Sequence, residues 1–599
     1  MSGRTRAGLI RLLAVAAVCA TAFATGAAAQ TPSAPRGQYR AFWVDTFNTR
    51  FSTPTDVAAI VARAQQAHAN VLFVQVRRRG DAWYLDSREP LAEGVVFTAD
   101  FDPLREILAR AHAIGVAVHA VVTVGPIWNQ ATGPASPAHV FAQHGFTPTG
   151  PVAGRQNWLT RARPGDAMPS TALGGYRFGL DFWLDPGHPD AAAYTVDVIT
   201  HLVAAYDVDG LLLEALRYPD AIAAPTGPTD PEPSVGYNDV SLERFRRRYE
   251  LPADALPSPT DGAWSDWRRA QVTALLGRIT LASLAIRPSL VVSVAVAATG
   301  DAPIAATADG TDVDAVAWSA SDPFRRAFQD WYRWSENGLV DALVPLVYRT
   351  EHTMAGADAF GAWLRWARAH ADGRQLVVAV GAYLNAIEGT LRQVRRATAP
   401  SIAADDPPAA DGVVLFSMGA HNAPVAGNPL AVAGPRDTPY RSFDDLASGL
   451  LTGRTVTGQA LEAGGPAGVF APPTAPPIPA WKLAPTTGHL RGTITIAGRD
   501  GALAADGAGV ALEWVADDRR GPGGAVPPAP AIPTVAPADG GGVYGRFDLA
   551  PGRYRVLVSP VGDGVYRSTC TVTVAAGAVA TLDLTVDPAR PAVATCVTP

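Results

Sequence analysis

Glu214, Arg217 and Tyr218 follow closely on an apolar run, Gly210-Leu211-Leu212-Leu213, and Pro219 ends the stretch. An apolar strand that delivers a carboxylate, then a guanidinium and a phenol, to its C-terminal tip can do acid–base chemistry in a walled pocket. The bland alternative is a strand-end ion pair between Glu214 and Arg217. Other apolar runs end in similar groups. One ends in Asp45, another in Gln75 and Arg77 with Asp81 and Tyr84 just beyond. Later tips supply Trp128 and Asn129, Asp185, Tyr348 with Glu351, Tyr383 with Asn385, and Phe416 with Ser417. Carboxylates, amides and aromatic rings converging on one mouth suit a sugar. Aromatic faces stack on pyranose rings, amides and guanidinia bond hydroxyls, and two carboxylates work at the anomeric carbon. Glu214 is therefore expected to be the catalytic acid or base. Asp45 is ranked first as its partner, ahead of Asp185 and Glu351, because it leaves a strand directly. Arg77, Asp81, Trp128, Asn129, Asp185, Arg217, Tyr218, Tyr348 and Asn385 are the expected substrate-binding residues. His119 lies in mid-strand, where a satisfied core histidine is the commoner outcome. No HExxH-like spacing occurs, so neither a metal nor a cofactor is expected.

Strands and helices alternate in the stretch that must position these groups. Apolar strands are expected at 41–45, 71–76, 116–122, 209–214, 290–296, 341–348, 375–381 and 412–417. They read as near-continuous Val/Ile/Leu-rich runs, the pattern of parallel strands buried on both faces. Helical periodicity fills the intervals, at 54–69 with Thr53 as N-cap, 102–114 with Gly115 as C-cap, 188–206, 264–286, 324–337, 356–371, 387–397 and 443–451. Two connections are far longer than the rest, 125–187 and 220–239, and are read as excursions over the mouth. Eight βα repeats lengthened on one side predict a (β/α)8 barrel. A doubly wound sheet is disfavoured, because no Gly-rich phosphate loop follows the first strand.

The 599 residues are too many for one core. Residues 38–455 are assigned to the barrel, 456–486 to a proline-rich linker containing APPTAPPIPAW, and 487–599 to a small all-β sandwich with period-two patterning. Hydrophobic content of 48% with 17% charged residues describes a globular chain, and a net charge of −6 without a basic tract argues against nucleic acid. Residues 1–29 read as a cleaved signal peptide: Arg4, Arg6 and Arg11, then an apolar core, then Ala27-Ala28-Ala29. No later stretch is long enough for a transmembrane helix. A secreted or periplasmic protein is expected. In that setting the two remaining cysteines, Cys570 and Cys596, read as one disulfide.

The stretches RAFWVDTF, NVLFVQVRRRGDAWY, DFDPLREILARAHAIGVAVHA, LDPGHPDAAAY, YDVDGLLLEALRYP, DALVPLVY and VVAVGAYLN occur in order. Together they resemble the bacterial glycosyl-hydrolase-like family 10, a group of exported TIM-barrel proteins, over roughly Gln38 to Asn422. The resemblance implies a glycosidase-like barrel acting on an envelope or extracellular glycan, cell-wall glycan strands included. The family usually carries Asp where this chain has Glu214, and a smaller residue where it has Arg78. Related barrel glycosidases place a glutamate after strand seven, where this chain offers Tyr383 and Asn385. A non-catalytic glycan-binding barrel is the second reading. The motif YGRFDLAPGRY resembles prealbumin-like modules found beside carbohydrate-active domains.

Overall fold

The computed structural model describes residues 37–166, 174–219, 234–304, 313–399, 410–423, 441–462, 468–499, 501–515, 536–560, 564–590 and 592–597. The expected signal peptide over 1–29, most of the expected excursion over 220–239 and much of the expected loop over 517–539 lie outside the described residues.

Eight parallel strands close into a barrel: β1 (Tyr39–Val44), β2 (Val71–Arg77), β3 (Ala117–Thr123), β4 (Gly210–Glu214), β5 (Val291–Ala297), β6 (Ala342–Val347), β7 (Gln375–Gly381) and β8 (Gly412–Phe416). Each strand pairs with its sequence neighbours, and β1 closes the ring on β8 through Tyr39 opposite Gly412. Gly412 is required there, because a Cβ would collide with the Tyr39 backbone. The alternation of side chains sorts the strands into two cores. Tyr39, Trp43, Val71, Phe73, Val121, Leu212, Val344, Val377 and Val414 fill the barrel interior. Phe42, Val44, Leu72, Leu211 and Leu213 face the helices.

Those helices are α1 (Pro54–Gln66), α2 (Pro103–Ala113), α3 (Pro189–Ala205), α4 (Gly262–Ile286), α5 (Trp331–Glu336), α6 (Met354–Ala369), α7 (Ile387–Thr398) and α8 (Phe443–Thr452). Thr53 caps α1 in a capping box with Asp56, and Asp102 caps α2. The continuous helix expected over 324–337 is broken into Asp322–Arg325 and α5. Gln329 explains the break. Its buried amide accepts from the Ala297 N–H and donates to the Leu216 and Ala295 carbonyls, which draws 326–330 off the helical path and against the strand ends.

The first excursion folds on itself. Short strands at Pro126–Trp128 and Asp181–Trp183 pair, and Ile127, Trp128, Phe141, Leu159 and Phe182 form a small core of their own.

After the barrel, the chain passes the bottom of the barrel, where Asn70 donates to the Thr474 and Ala475 carbonyls. It then forms an antiparallel-rich β structure around Leu490, Ile494, Val510, Tyr544, Val556, Val558 and Leu584. Cys570 and Cys596 are disulfide-bonded, tying the final strand, Val593–Val597, to the loop before Val572–Val574. This module lies along α4, with Leu281 against Gly545 and Gly277 against Phe547. Asp506 receives Arg244 at 2.8 Å and Arg247 at 2.7 Å, and Arg278 reaches Asp539 at 3.2 Å. α4 is therefore covered on its outer face too, which explains buried residues around its whole circumference. Among the described residues, no helix is long and apolar enough to cross a membrane.

Candidate active site

Glu214 is the last residue of β4 and stands partly exposed in the mouth. The Thr123 hydroxyl at the tip of β3 donates to its Oε2 at 2.6 Å, and the Gln75 amide on β2 donates to the same oxygen at 3.1 Å. Gln75 is itself oriented, since its Oε1 accepts from the Thr46 N–H at 3.0 Å and from the Thr46 hydroxyl at 2.8 Å. Strands β2, β3 and the end of β1 thus hold one oxygen of Glu214, while Oε1 takes no hydrogen bond from the described residues. Burial raises the Glu214 carboxyl above the ordinary glutamate value, the donors from Thr123 and Gln75 pull it down, and the Asp45 charge pushes it up. A carboxyl held in place by one oxygen and raised above its ordinary value by burial is suited to general-acid work.

Asp45 is fully buried just past β1. Its Oδ1 accepts from the Phe47 and Asn48 N–H groups at 2.9 and 2.8 Å and from the Asn48 side chain at 3.0 Å. Its Oδ2 is buried and has no partner among the described residues. Asp45 and Glu214 share one electrostatic field, and both act on the Tyr348 phenol, whose proton is held all the more tightly. Tyr348 meets Tyr383 edge-on at 5.9 Å and Phe416 at 5.5 Å, and Trp43 packs on Phe416 at 5.4 Å. These rings form an aromatic wall on the β6–β8 side of the mouth.

The other two carboxylates weighed as partners are committed elsewhere. Asp185 is fully buried, and its Oδ1 accepts from the Gly187 N–H at 2.8 Å, the Ser241 hydroxyl at 3.0 Å and the Tyr218 phenol at 3.2 Å. Burial lifts it to about 6. Glu351 is held on α7 by Arg396, by Arg392 at 3.6 Å and by Gln393 at 3.3 Å.

The remaining expected binding residues separate in the same way. Arg77 does not face the mouth. A bulge between Gln75 and Arg77 turns it outward. There it is almost completely buried in a two-pronged pair with Glu89, at 2.7 and 2.8 Å, which Tyr194 completes. Trp128 is buried in the excursion's core, with its indole N–H donated to Thr132. The Asn129 carbonyl holds Arg177, and Asp81 accepts from the Arg79 N–H. Tyr218 is fully buried against Phe328 and bonded to Asp185, so it is no open platform. Arg217 stacks on Trp183 at 5.0 Å and acts electrostatically on Glu214. The Asn385 amide ties Glu351, Arg349 and Gly381 together.

His119 sits inside the barrel, edge-on to Phe73 at 5.0 Å, and burial lowers it to about 4. Gly210 leaves it room, since a Cβ there would lie 2.5 Å from the ring. It is a core residue. Thr123 was not anticipated, although a lone polar residue ending an apolar strand beside β4 marks it. Phe47, 59% exposed at the mouth, was missed because one aromatic after a strand carries no periodic signal.

The fold and the mouth define the class. A closed parallel barrel whose strand C-termini gather a glutamate raised by burial, the buried Asp45 and an aromatic wall has the architecture on which barrel enzymes build their sites. The chain belongs to the family described as "Glycosyl hydrolase-like 10", which it matches over residues 38–388. It is 24% identical over 332 residues to "Glycosyl hydrolase DigH" of Escherichia coli (strain K12), an alignment taking in 51% of this chain and 62% of that relative. Among solved structures it is similar to the PgaB (BpsB) glycoside hydrolase domain from Bordetella bronchiseptica, with 15% identity, a TM-score of 0.40 and coverage of 61% of this chain and 88% of that one. It is also similar to alpha-L-fucosidase isoenzyme 2 from Paenibacillus thiaminolyticus, with 16% identity, a TM-score of 0.39 and coverage of 64% and 47%.

Proposed function

We propose that the protein is an exported glycoside hydrolase that cleaves O-glycosidic bonds of an envelope or extracellular polysaccharide, cell-wall glycan strands among them. The observation that carries this reading is the state of Glu214: partly exposed, raised by burial, and held through Oε2 alone. In the proposed reaction the Glu214 carboxyl gives its proton to the departing glycosidic oxygen as the bond to the anomeric carbon breaks. Asp45 supplies the second carboxylate and opposes the positive charge that develops on the sugar ring. Water adds at the anomeric carbon and its proton returns to Glu214, which restores the site. Family membership and a relative named as a glycosyl hydrolase support the same reading.

The test is Glu214→Gln. Mature protein incubated with purified sacculi and polysaccharides is expected to release new reducing ends, and the variant to release none while unfolding at the same temperature. Equal release by both would end the assignment.

A second reading, a barrel that binds glycan without cutting it, is favoured by two observations. Asp45 is closed to solvent and the tip of β7 offers Tyr383 and a fully engaged Asn385. Binding of glycan with no new reducing ends would select it.

A further inference from the structure

Three arginines stand in a row at the tip of β2, and the structure treats them differently. Arg77 is paired with Glu89 and Arg79 with Asp181 at 2.7 Å. Arg78 forms no ion pair and no hydrogen bond among the described residues, and its Nε is buried without a partner. The bulge explains its direction. Gln75 points into the barrel mouth and Arg77, after one extra residue, points out, so Arg78 returns to the mouth side. Its guanidinium lies 5.1 Å over the Phe47 ring, which is exposed beside Asp45. The carboxylates around it, Asp81, Asp181 and Asp45, act on Arg78 through their field without bonding it: Asp181 is paired with Arg79, Asp81 accepts from the Arg79 N–H, and Asp45 gives Oδ1 to Phe47 and Asn48. Burial works against the Arg78 charge and lowers its proton affinity, the mark of an under-compensated cation.

We propose that Arg78 is a specificity residue that receives an anionic group of the glycan, a carboxylate or a sulfate ester on a sugar bound in the mouth. A guanidinium is a planar fork of donors that matches such groups with two parallel hydrogen bonds. Phe47 holds the fork from one side. This inference rests on the glycan reading above and narrows its substrate class to acidic polysaccharides.

The test reads binding, so that it does not depend on turnover. Full-length mature Glu214→Gln protein is applied to an array of neutral, glucuronate-containing and sulfated oligosaccharides. Acidic members are expected to bind above neutral ones of the same backbone, and their binding to weaken as salt is raised from about 50 to 200 mM. Adding Arg78→Gln is expected to reduce the acidic-to-neutral ratio by about tenfold or more. Arg78→Lys, which keeps the charge and loses the fork, should give an intermediate ratio. The carboxylated and sulfated arms identify which anion is taken. A ratio unchanged by Arg78→Gln, or a preference for neutral glycans, overturns the proposal and leaves the glycosidase reading standing. If Arg78→Gln does not fold, a salt-insensitive acidic-to-neutral ratio in the Glu214→Gln parent overturns it. No binding to any glycan overturns both.

Discussion

Replacing Thr123 by valine removes the largest of the influences that hold down the proton affinity of Glu214. Valine keeps the shape and β-branched fit of the strand and removes one hydroxyl. That hydroxyl donates to Glu214 Oε2 at 2.6 Å and accepts from Gln75 at 3.1 Å, so a single change strips a donor from the ionised carboxylate. A hydrogen bond to a charged acceptor contributes about 1.5–3 kcal/mol. At about 1.4 kcal/mol per tenfold change in proton affinity, Glu214 should rise by about one to two pH units. The direction follows from the environment: burial already raises this carboxyl, and Thr123 is the largest influence pulling it down. If Glu214 acts as the general acid, the alkaline limb of the kcat/KM profile moves up by that amount. Stability moves with it. A carboxyl whose folded-state affinity for protons exceeds its unfolded value stabilises the fold below the ordinary glutamate value and loses that contribution as pH rises through the folded one. The variant should therefore lose stability over a wider span above about pH 4.5 than the parent. Titration of 13C-labelled glutamate carboxyls, with Glu214→Gln to assign the signal, measures the shift without any substrate. A Glu214 signal that stays in place or moves down in Thr123→Val would refute this account of the site.

Asp45→Asn keeps an oxygen for the turn at Phe47 and Asn48 while removing the charge that raises Glu214; the Glu214 titration should move down, by less than Thr123→Val moves it up, as checked by the same carboxyl titration. Arg77→Met leaves Glu89 buried without its cation and should cost about 3–5 kcal/mol in denaturant unfolding, with KM for any cleaved glycan unchanged in the folded fraction. Cys596→Ser opens a loop closed across 26 residues and should lower the stability of the C-terminal β module by about 3–4 kcal/mol, read as an earlier unfolding step that reducing agent reproduces in the parent.

The barrel was legible in the chain because its strands are buried on both faces. Val71–Arg77 and Gln375–Gly381 need apolar side chains at nearly every position, and that requirement is local. Thr53 and Asp102 were legible as caps for the same reason: the partner is three residues away. The helix across 324–337 was misread because what breaks it, Gln329 bonded to the ends of β4 and β5, acts at long range.

The site divides along the same line. Glu214 is marked by its own neighbourhood, an apolar strand ending in an acid. Which other residues belong with it depends on where each strand tip points. A bulge sends Arg77 outward to Glu89 and brings Arg78 back to the mouth. Asp185 turns to Gly187 and Ser241, and Glu351 to α7, whereas Asp45 shares the field of Glu214. Residue type and periodicity determine which strands form and what each can carry. Only closure of the ring decides which of those groups meet, because the contacts between strand tips join residues far apart in the chain and leave no local pattern.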